Sequence, residues 1–210
     1  MGTQVEKRQR NPRGEGARLR LEIIEAAMRI LDRAPASELS LRTVAREAGV
    51  AAPSVYAHFA NAEAMMAEIV RECWRQLGEE MSARAQESAG PSAFDTLKAQ
   101  MSAYVRYAME RRSRYQLLFA LQPLDMAAWR ELPGPIRPAY RNVLESLERM
   151  AAEGFVLPMQ DLLPSSLLVL SIAHGRIVLA QTAPHRRGNA PAGVEVFVLA
   201  ALDSIFKTRS

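Results

Sequence analysis

A single cysteine, Cys73, stands in the 210 residues, so the chain forms no internal disulfide. That usage fits a reducing compartment. Long hydrophobic runs are missing as well. The run from Leu167 to Ala173 is broken by Ser171 and soon meets His174 and Arg176. It falls well short of the roughly 20 apolar residues that a membrane span needs. The first residues are charged and carry no apolar segment of the secretory type. Glycine (11) and proline (12) are at ordinary levels, which argues against low-complexity chain. The expectation is a cytoplasmic globular protein.

Catalytic signals are equally scarce. The three histidines, His58, His174 and His185, are scattered. No His-x-x-x-His pair, cysteine pair or acidic cluster has metal-ligand spacing. No G-x-S-x-G or phosphate-loop string occurs. The sequence therefore predicts no catalytic residue, no metal site and no cofactor, and the chain reads as a non-enzyme.

What the sequence does have is a basic beginning. Within the first twenty residues Lys7, Arg8, Arg10, Arg13, Arg18 and Arg20 face only Glu6 and Glu15. That excess equals the net charge of the whole chain, +4. Residues 1–17 show no apolar period and are expected to be a disordered basic arm. Such an arm suits tracking phosphates or entering a minor groove, and equally suits a solvated tail.

The segment that organises the rest is SLRTVAREAGVAAPSVYAHF, residues 40–59. Leu41, Val44, Ala45 and Ala48 fall at i, i+3, i+4 and i+7, the apolar stripe of a short helix. Ser40 precedes it, where a hydroxyl accepts from free backbone N–H groups. Gly49 follows it, where the chain needs φ > 0 to leave a helix. Pro53 opens a second helical pattern, in the one turn that tolerates its missing N–H. Val55 and Phe59 give that helix an apolar face, with Ser54, Tyr56 and His58 off it. Two short helices joined by a tight glycine turn form a helix-turn-helix, whose second helix presents a polar face to a DNA major groove.

These residues, read as A-x-x-A-G-V-x-x-x-x-x-Y-x-x-F through Ala45, Ala48, Gly49, Val50, Tyr56 and Phe59, resemble the DNA-binding domain of the tetracycline-repressor (TetR) family. The resemblance covers about residues 18–70. It implies an all-α fold: a three-helix DNA-binding domain, residues 18–62, and a C-terminal helical domain, residues 63–210, that binds a small molecule and forms a homodimer. It implies that the first helix packs across the other two. It makes the helix at about 63–85 the link between the domains, whose movement changes the spacing of the two recognition helices. The family usually has lysine after the short loop, where it meets a phosphate; this chain has Ala62.

The rest of the chain reads as helices from about 18 to 33, 92 to 112, 115 to 121, 136 to 154, 164 to 183 and 192 to 206. The proline-rich passage 124–138, which carries Trp129, cannot be one regular helix. Arg111, Arg112 and Arg114 fall near the end of the helix at 92–112, where cations suit the dipole. Phe155 to Met159 is short and contains Pro158, so no strand is expected. The last two helices, about 164–183 and 192–206, are apolar over more than one face and must be buried. They are the expected homodimer interface, in agreement with the family's four-helix bundle. Ile172 to Leu179 also resembles a His-Gly element of some members.

On the recognition helix, Ser54 and His58 lie four apart on the exposed side. By resemblance Tyr56 gives its hydroxyl to a phosphate, while His58 is placed for a phosphate or a base edge. Arg42 and Thr43 start the bracing helix at the groove edge, where a helix N-terminus favours phosphate. Ala52 and Pro53, with Ala51, offer only apolar contact, such as a thymine methyl. The face is poor in strong base readers, so direct readout is expected to be modest. For a ligand pocket, Met101, Tyr104, Phe119, Trp129, Tyr140 and His174 are candidates, in an apolar setting with a few polar groups. Each is also a reasonable plain core residue. The expected function is a ligand-responsive repressor that binds a palindromic double-stranded DNA operator as a homodimer and leaves it when a small-molecule effector binds. The alternative is a helical small-molecule-binding module with weak or lost DNA binding.

Overall fold

The structure, a computed structural model, describes residues 15–87, 92–120 and 137–208. The expected basic arm therefore falls largely outside the described residues, as do Trp129 and the break at residues 88–91. Among the described residues the elements run α1 (Glu15–Arg33), a 3-10 turn (Ala36–Glu38), α2 (Leu41–Ala48), α3 (Ala52–Tyr56), α4 (Ala62–Glu87), α5 (Ala93–Glu110), α6 (Arg112–Ala120), α7 (Arg137–Ala152), β1 (Phe155–Val156), α8 (Leu162–Thr182), α9 (Pro191–Ile205) and β2 (Lys207–Thr208). The chain divides into two compact units, one ending at Ile69 and one starting at Val70, so α4 belongs to both. The fold is all-α, as expected.

In the first unit α1 packs on α2, and α2 on α3. The stripe Ile23, Ala27, Ile30 and Leu31 is buried, and so are Leu41, Val44 and Ala45 on α2. Full burial of an aliphatic side chain of this size contributes roughly 1.5–3 kcal/mol. Val55, Phe59, Met65 and Ile69 complete the small core. α1 starts three residues before the expected Arg18.

In the second unit α5 is the central element, packed against α6, α7, α8 and α9. Its stripe of Leu97, Met101, Tyr104, Val105 and Ala108 is buried, facing a core that includes Val143 and Leu147 of α7, Ala173 and Ile177 of α8, and Val198 and Leu202 of α9. Ser92 caps α5, its hydroxyl accepting from the Asp95 N–H.

Two expectations are corrected here. A pair of two-residue strands exists: β1 pairs antiparallel with β2, Phe155 opposite Thr208 and Val156 opposite Lys207. The rings of Phe155 and Phe206 pack on Phe94, at 5.4 and 5.7 Å between centroids. Pro158 does not interfere, because it lies beyond the paired residues. Second, Arg112 and Arg114 open α6 instead of closing α5. Their role is not dipole compensation: Arg114 donates to the Gln76 side-chain oxygen at 2.8 Å, and the neighbouring Arg111 pairs with Glu80. By length and composition alone the 21-residue α8 is apolar enough to cross a membrane. It nonetheless serves as a core helix. Ser165 and Ser166 are buried in it, and Gln181 near its end donates to the Ala108 carbonyl at 3.0 Å.

Candidate nucleic-acid interface

The bracing helix α2 begins at a capping box. The Ser40 hydroxyl accepts from the Thr43 N–H at 3.1 Å, and the Thr43 hydroxyl oxygen accepts from the Ser40 N–H at 2.9 Å. Thr43 Oγ1 also donates to the Glu38 carbonyl at 2.8 Å. Two orphan N–H groups are satisfied in this way. Thr43, expected at the DNA, is thus occupied first with building the helix start. Arg42 beside it is exposed, and so is Arg46 one turn further on. Sequence reading passed over Arg46, although its i+4 spacing from Arg42 was the signal for one polar face. Glu47, in contrast, is held by Arg29 and Arg33 of α1. Hydrogen bonding from Arg33, then Arg29, keeps its carboxyl below the ordinary carboxylate range.

The turn is made at Gly49, with φ 69°, where the Val50 N–H closes back on the Ala45 carbonyl at 3.0 Å. A side chain there is strained whatever space surrounds it. α3 then runs for five residues with Pro53 in its first turn. Val55 is buried, Ser54 half-buried, and Tyr56 is 58% exposed. Ala51 and Pro53 are exposed and Ala52 half-buried, so the apolar start of the helix is open to a groove. The helix ends before His58, whose N–H turns back to the Val55 carbonyl at 3.0 Å. His58 therefore follows the helix instead of sharing its exposed side with Ser54. Its ring lies toward the first turn of α1, where a Cβ on Gly16 would stand 3.7 Å from Cε1.

One residue of this region had no role in the sequence beyond its charge. Arg20 of α1 donates to the His58 carbonyl at 2.9 Å and to the Glu68 carboxylate at 3.0 Å. Its guanidinium lies 4.5 Å from the centroid of the buried Phe59 ring. One side chain thus fixes the end of the recognition helix to both α1 and the start of α4. Asn61 begins α4, its side-chain oxygen accepting from the Ala64 N–H at 2.7 Å. Ala62 contributes no charge at this helix start.

A short helix with one exposed tyrosine, braced by a capped helix with two exposed arginines, is suited to backbone contact and shallow groove entry. Residues 23–69 match the family described as bacterial regulatory proteins, tetR family, and residues 97–205 match the tetracyclin repressor-like C-terminal domain. The chain belongs to the TetR family. The comparison with curated proteins gives no match. Among solved structures, a protein of unknown function from Rhodococcus sp. RHA1 is similar at 22% identity and TM-score 0.70, covering 97% of each chain. The fatty acid degradation regulator FadR from Bacillus halodurans is similar at 13% identity and TM-score 0.68, covering 96% of this chain and all of that one. A candidate TetR-family transcriptional regulator from Mesorhizobium loti follows at 17% and 0.65, covering 90% and 96%. At these identities the likeness is one of fold.

In the TetR C-terminal domain the expected pocket residues divide. Met101 and Tyr104 are buried on α5 and Tyr140 is buried on α7. Tyr104, Phe119 and His174 come together, joined by two residues that the sequence did not single out, Tyr115 and Trp74. The Tyr115 hydroxyl lies 2.9 Å from that of Tyr104 and 2.8 Å from His174 Nδ1. The Phe119 ring packs on those of His174, Tyr115 and Trp74, at 4.3, 5.2 and 5.6 Å. Burial raises the Tyr104 and Tyr115 phenols well above their ordinary range, and burial lowers His174. All three are therefore uncharged at neutral pH. No group of His, Cys, Asp and Glu among the described residues has the arrangement of a metal site.

Proposed function

We propose that this TetR-family chain is a repressor that binds a palindromic operator as a homodimer and is released from it by a small molecule. The observation that carries the DNA reading is the capped α2 with exposed Arg42 and Arg46 beside an exposed Tyr56 on α3. Arg42, Arg46 and Tyr56 supply phosphate contacts, which position the protein. Ala52, Pro53 and Ser54 meet base edges, and His58 meets a phosphate beside the groove. With no arginine, asparagine or glutamine on α3, much of the specificity comes from DNA shape and from the basic arm.

The dimer is proposed to form through α8 and α9. Val178 and Leu179 of α8 and Val196 and Phe197 of α9 are 40%, 65%, 68% and 52% exposed in the single chain. Such an apolar face needs a cover in water, and a second copy supplies it. Two recognition helices then enter successive major grooves, roughly 34–36 Å apart. A ligand bound in the C-terminal unit acts only through unequal affinity for the DNA-bound and released states. Such a regulator works in the cytoplasm, with no catalytic step of its own.

The test is selection of bound fragments from a random duplex library at about 0.1–0.15 M salt, where non-specific binding is weak. Enrichment of a palindrome supports the reading. A folded protein that enriches nothing rejects it and favours the binding-module alternative.

A further inference from the structure

The cluster formed by Trp74 (α4), Tyr104 (α5), Tyr115 and Phe119 (α6) and His174 (α8) has a hydrogen-bond polarity that can be worked out. Tyr104 is buried, and among the described residues the only partner of its hydroxyl is the Tyr115 oxygen. A buried hydroxyl proton without an acceptor costs free energy, so Tyr104 donates to Tyr115. The Tyr115 proton is then directed to His174 Nδ1. Nδ1 is therefore an acceptor, and His174 carries its own proton on Nε2. Nε2 has no hydrogen-bond partner among the described residues. The second free donor is Trp74 Nε1, which is buried and unpartnered although the residue is only 3% exposed. Both rings contact Phe119, which is itself 37% exposed. The cluster thus holds two unpaired N–H donors, the Trp74 one fully buried, beside a partly exposed aromatic ring, and its five side chains carry no charge. Arg114, next to Tyr115 in the chain, donates elsewhere, to Gln76.

From this we infer that the cluster is the recognition site for the effector, and that the effector is an uncharged molecule with a flat apolar body and a hydrogen-bond-accepting head, such as a ketone, ester or lactone. The inference rests on the ligand-responsive reading above and gives its ligand a chemical class. The head accepts from His174 Nε2 and Trp74 Nε1, and the body lies on Phe119. A carboxylate head is disfavoured, because a buried anion needs a cation and none of the five side chains supplies one. An amine or ammonium head meets donors only.

The experiment uses the full chain and three probes with one body: 2-acetylnaphthalene, 2-ethylnaphthalene and 2-naphthoate, each titrated by calorimetry. The ketone is expected to bind about tenfold tighter than either of the others, a difference of about 1.4 kcal/mol. Trp74→Phe, which keeps a ring and removes the N–H, is expected to abolish most of that preference, read as the ratio of ketone to hydrocarbon affinity in the same variant. Equal binding of ketone and hydrocarbon, tighter binding of the carboxylate, no binding of any probe, or an undiminished preference in Trp74→Phe overturns the inference. A second measurement needs no variant of the cluster. In protein with His58 and His185 replaced by Gln, the nitrogen shifts of the remaining histidine should report the Nε2–H tautomer at neutral pH. The Nδ1–H tautomer overturns the donor assignment. Operator selection is independent of both readouts, so failure of this inference leaves the DNA reading standing, and the reverse.

Discussion

Arg20 and His58 are 38 residues apart, yet the Arg20 guanidinium closes the end of the recognition helix by donating to the His58 carbonyl at 2.9 Å. The same group reaches Glu68 on α4 and covers the Phe59 ring. The end of a helix shorter than two turns has few bonds of its own, so this external cap sets its orientation. Arg20→Met is expected to destabilise the N-terminal unit by about 1–2 kcal/mol, in the range of hydrogen bonds to charged groups. DNA affinity should fall by a similar factor on specific and random duplexes, since geometry and not a base contact is lost. Urea unfolding and binding to both duplexes check this. A loss confined to the specific duplex would make Arg20 a reader instead.

The capping box gives a purely local prediction. Ser40→Ala removes the acceptor for the Thr43 N–H and should cost about 1 kcal/mol. Ser40→Asp keeps the acceptor and should restore most of it. Thermal unfolding of both variants decides the point.

Tyr56 and His58 separate two kinds of DNA contact. Tyr56→Phe should weaken binding to all sequences several-fold, as a lost phosphate contact does. His58→Ala should do the same with no change of preferred base, because the ring leaves the helix axis toward α1. Binding to single-base operator variants measures both. A changed base preference in His58→Ala would restore it as a base reader.

For the α8–α9 face, Leu179→Glu and Phe197→Glu are expected to give monomers at concentrations where the parent chain is dimeric, with little loss of helix. Gly175 on the same helix adds a finer probe. A Cβ there meets nothing within 4 Å in the single chain. Gly175→Ala should therefore stabilise the folded chain by roughly 0.5–1 kcal/mol, whereas Gly175→Arg should block close approach of a second copy. Sedimentation at several concentrations distinguishes these outcomes.

His174 supplies a pH dependence. Burial lowers its pKa below the ordinary 6.5. The unfolded chain therefore takes up a proton more readily than the folded one. Stability from this residue is complete above about pH 6.5 and is lost as pH falls through the lowered folded value. Urea midpoints should decline as pH falls below about 6.5, and the decline should be smaller in His174→Gln. Carboxylates such as Glu47 act at lower pH and do not mask it.

The parts of this protein legible in the sequence were those governed by near neighbours. Ser40, Gly49 and Pro53 each state a backbone rule that operates within four residues, and α2 and its turn followed directly. The buried stripes of α1, α5 and α7 were likewise readable from their 3.6-residue period. The Arg20 cap was not, because nothing in RLRLE distinguishes an arginine that reaches 38 residues ahead from one in solvent. The polarity of the tyrosine–histidine chain was hidden for the same reason: Tyr104, Tyr115 and His174 lie on three helices, and only their joint geometry fixes where the protons go. Two-residue strands such as β1 and β2 leave no periodicity to detect. His58 was expected to share a helix face with Ser54, but α3 ends at Tyr56, one turn too early for that.

The pairing of β1 with β2 bears on the order in which the chain matures during synthesis. Phe94, Phe155 and Phe206 form one aromatic contact set, drawn from the beginning, middle and end of the C-terminal unit. Translation must reach residues 206–208 before that set exists. The unit ending at Ile69 draws on contiguous, earlier sequence and needs none of them. The N-terminal unit is therefore free to fold while the ribosome is still reading, and the C-terminal unit completes its packing only after residues 206–208 have been made.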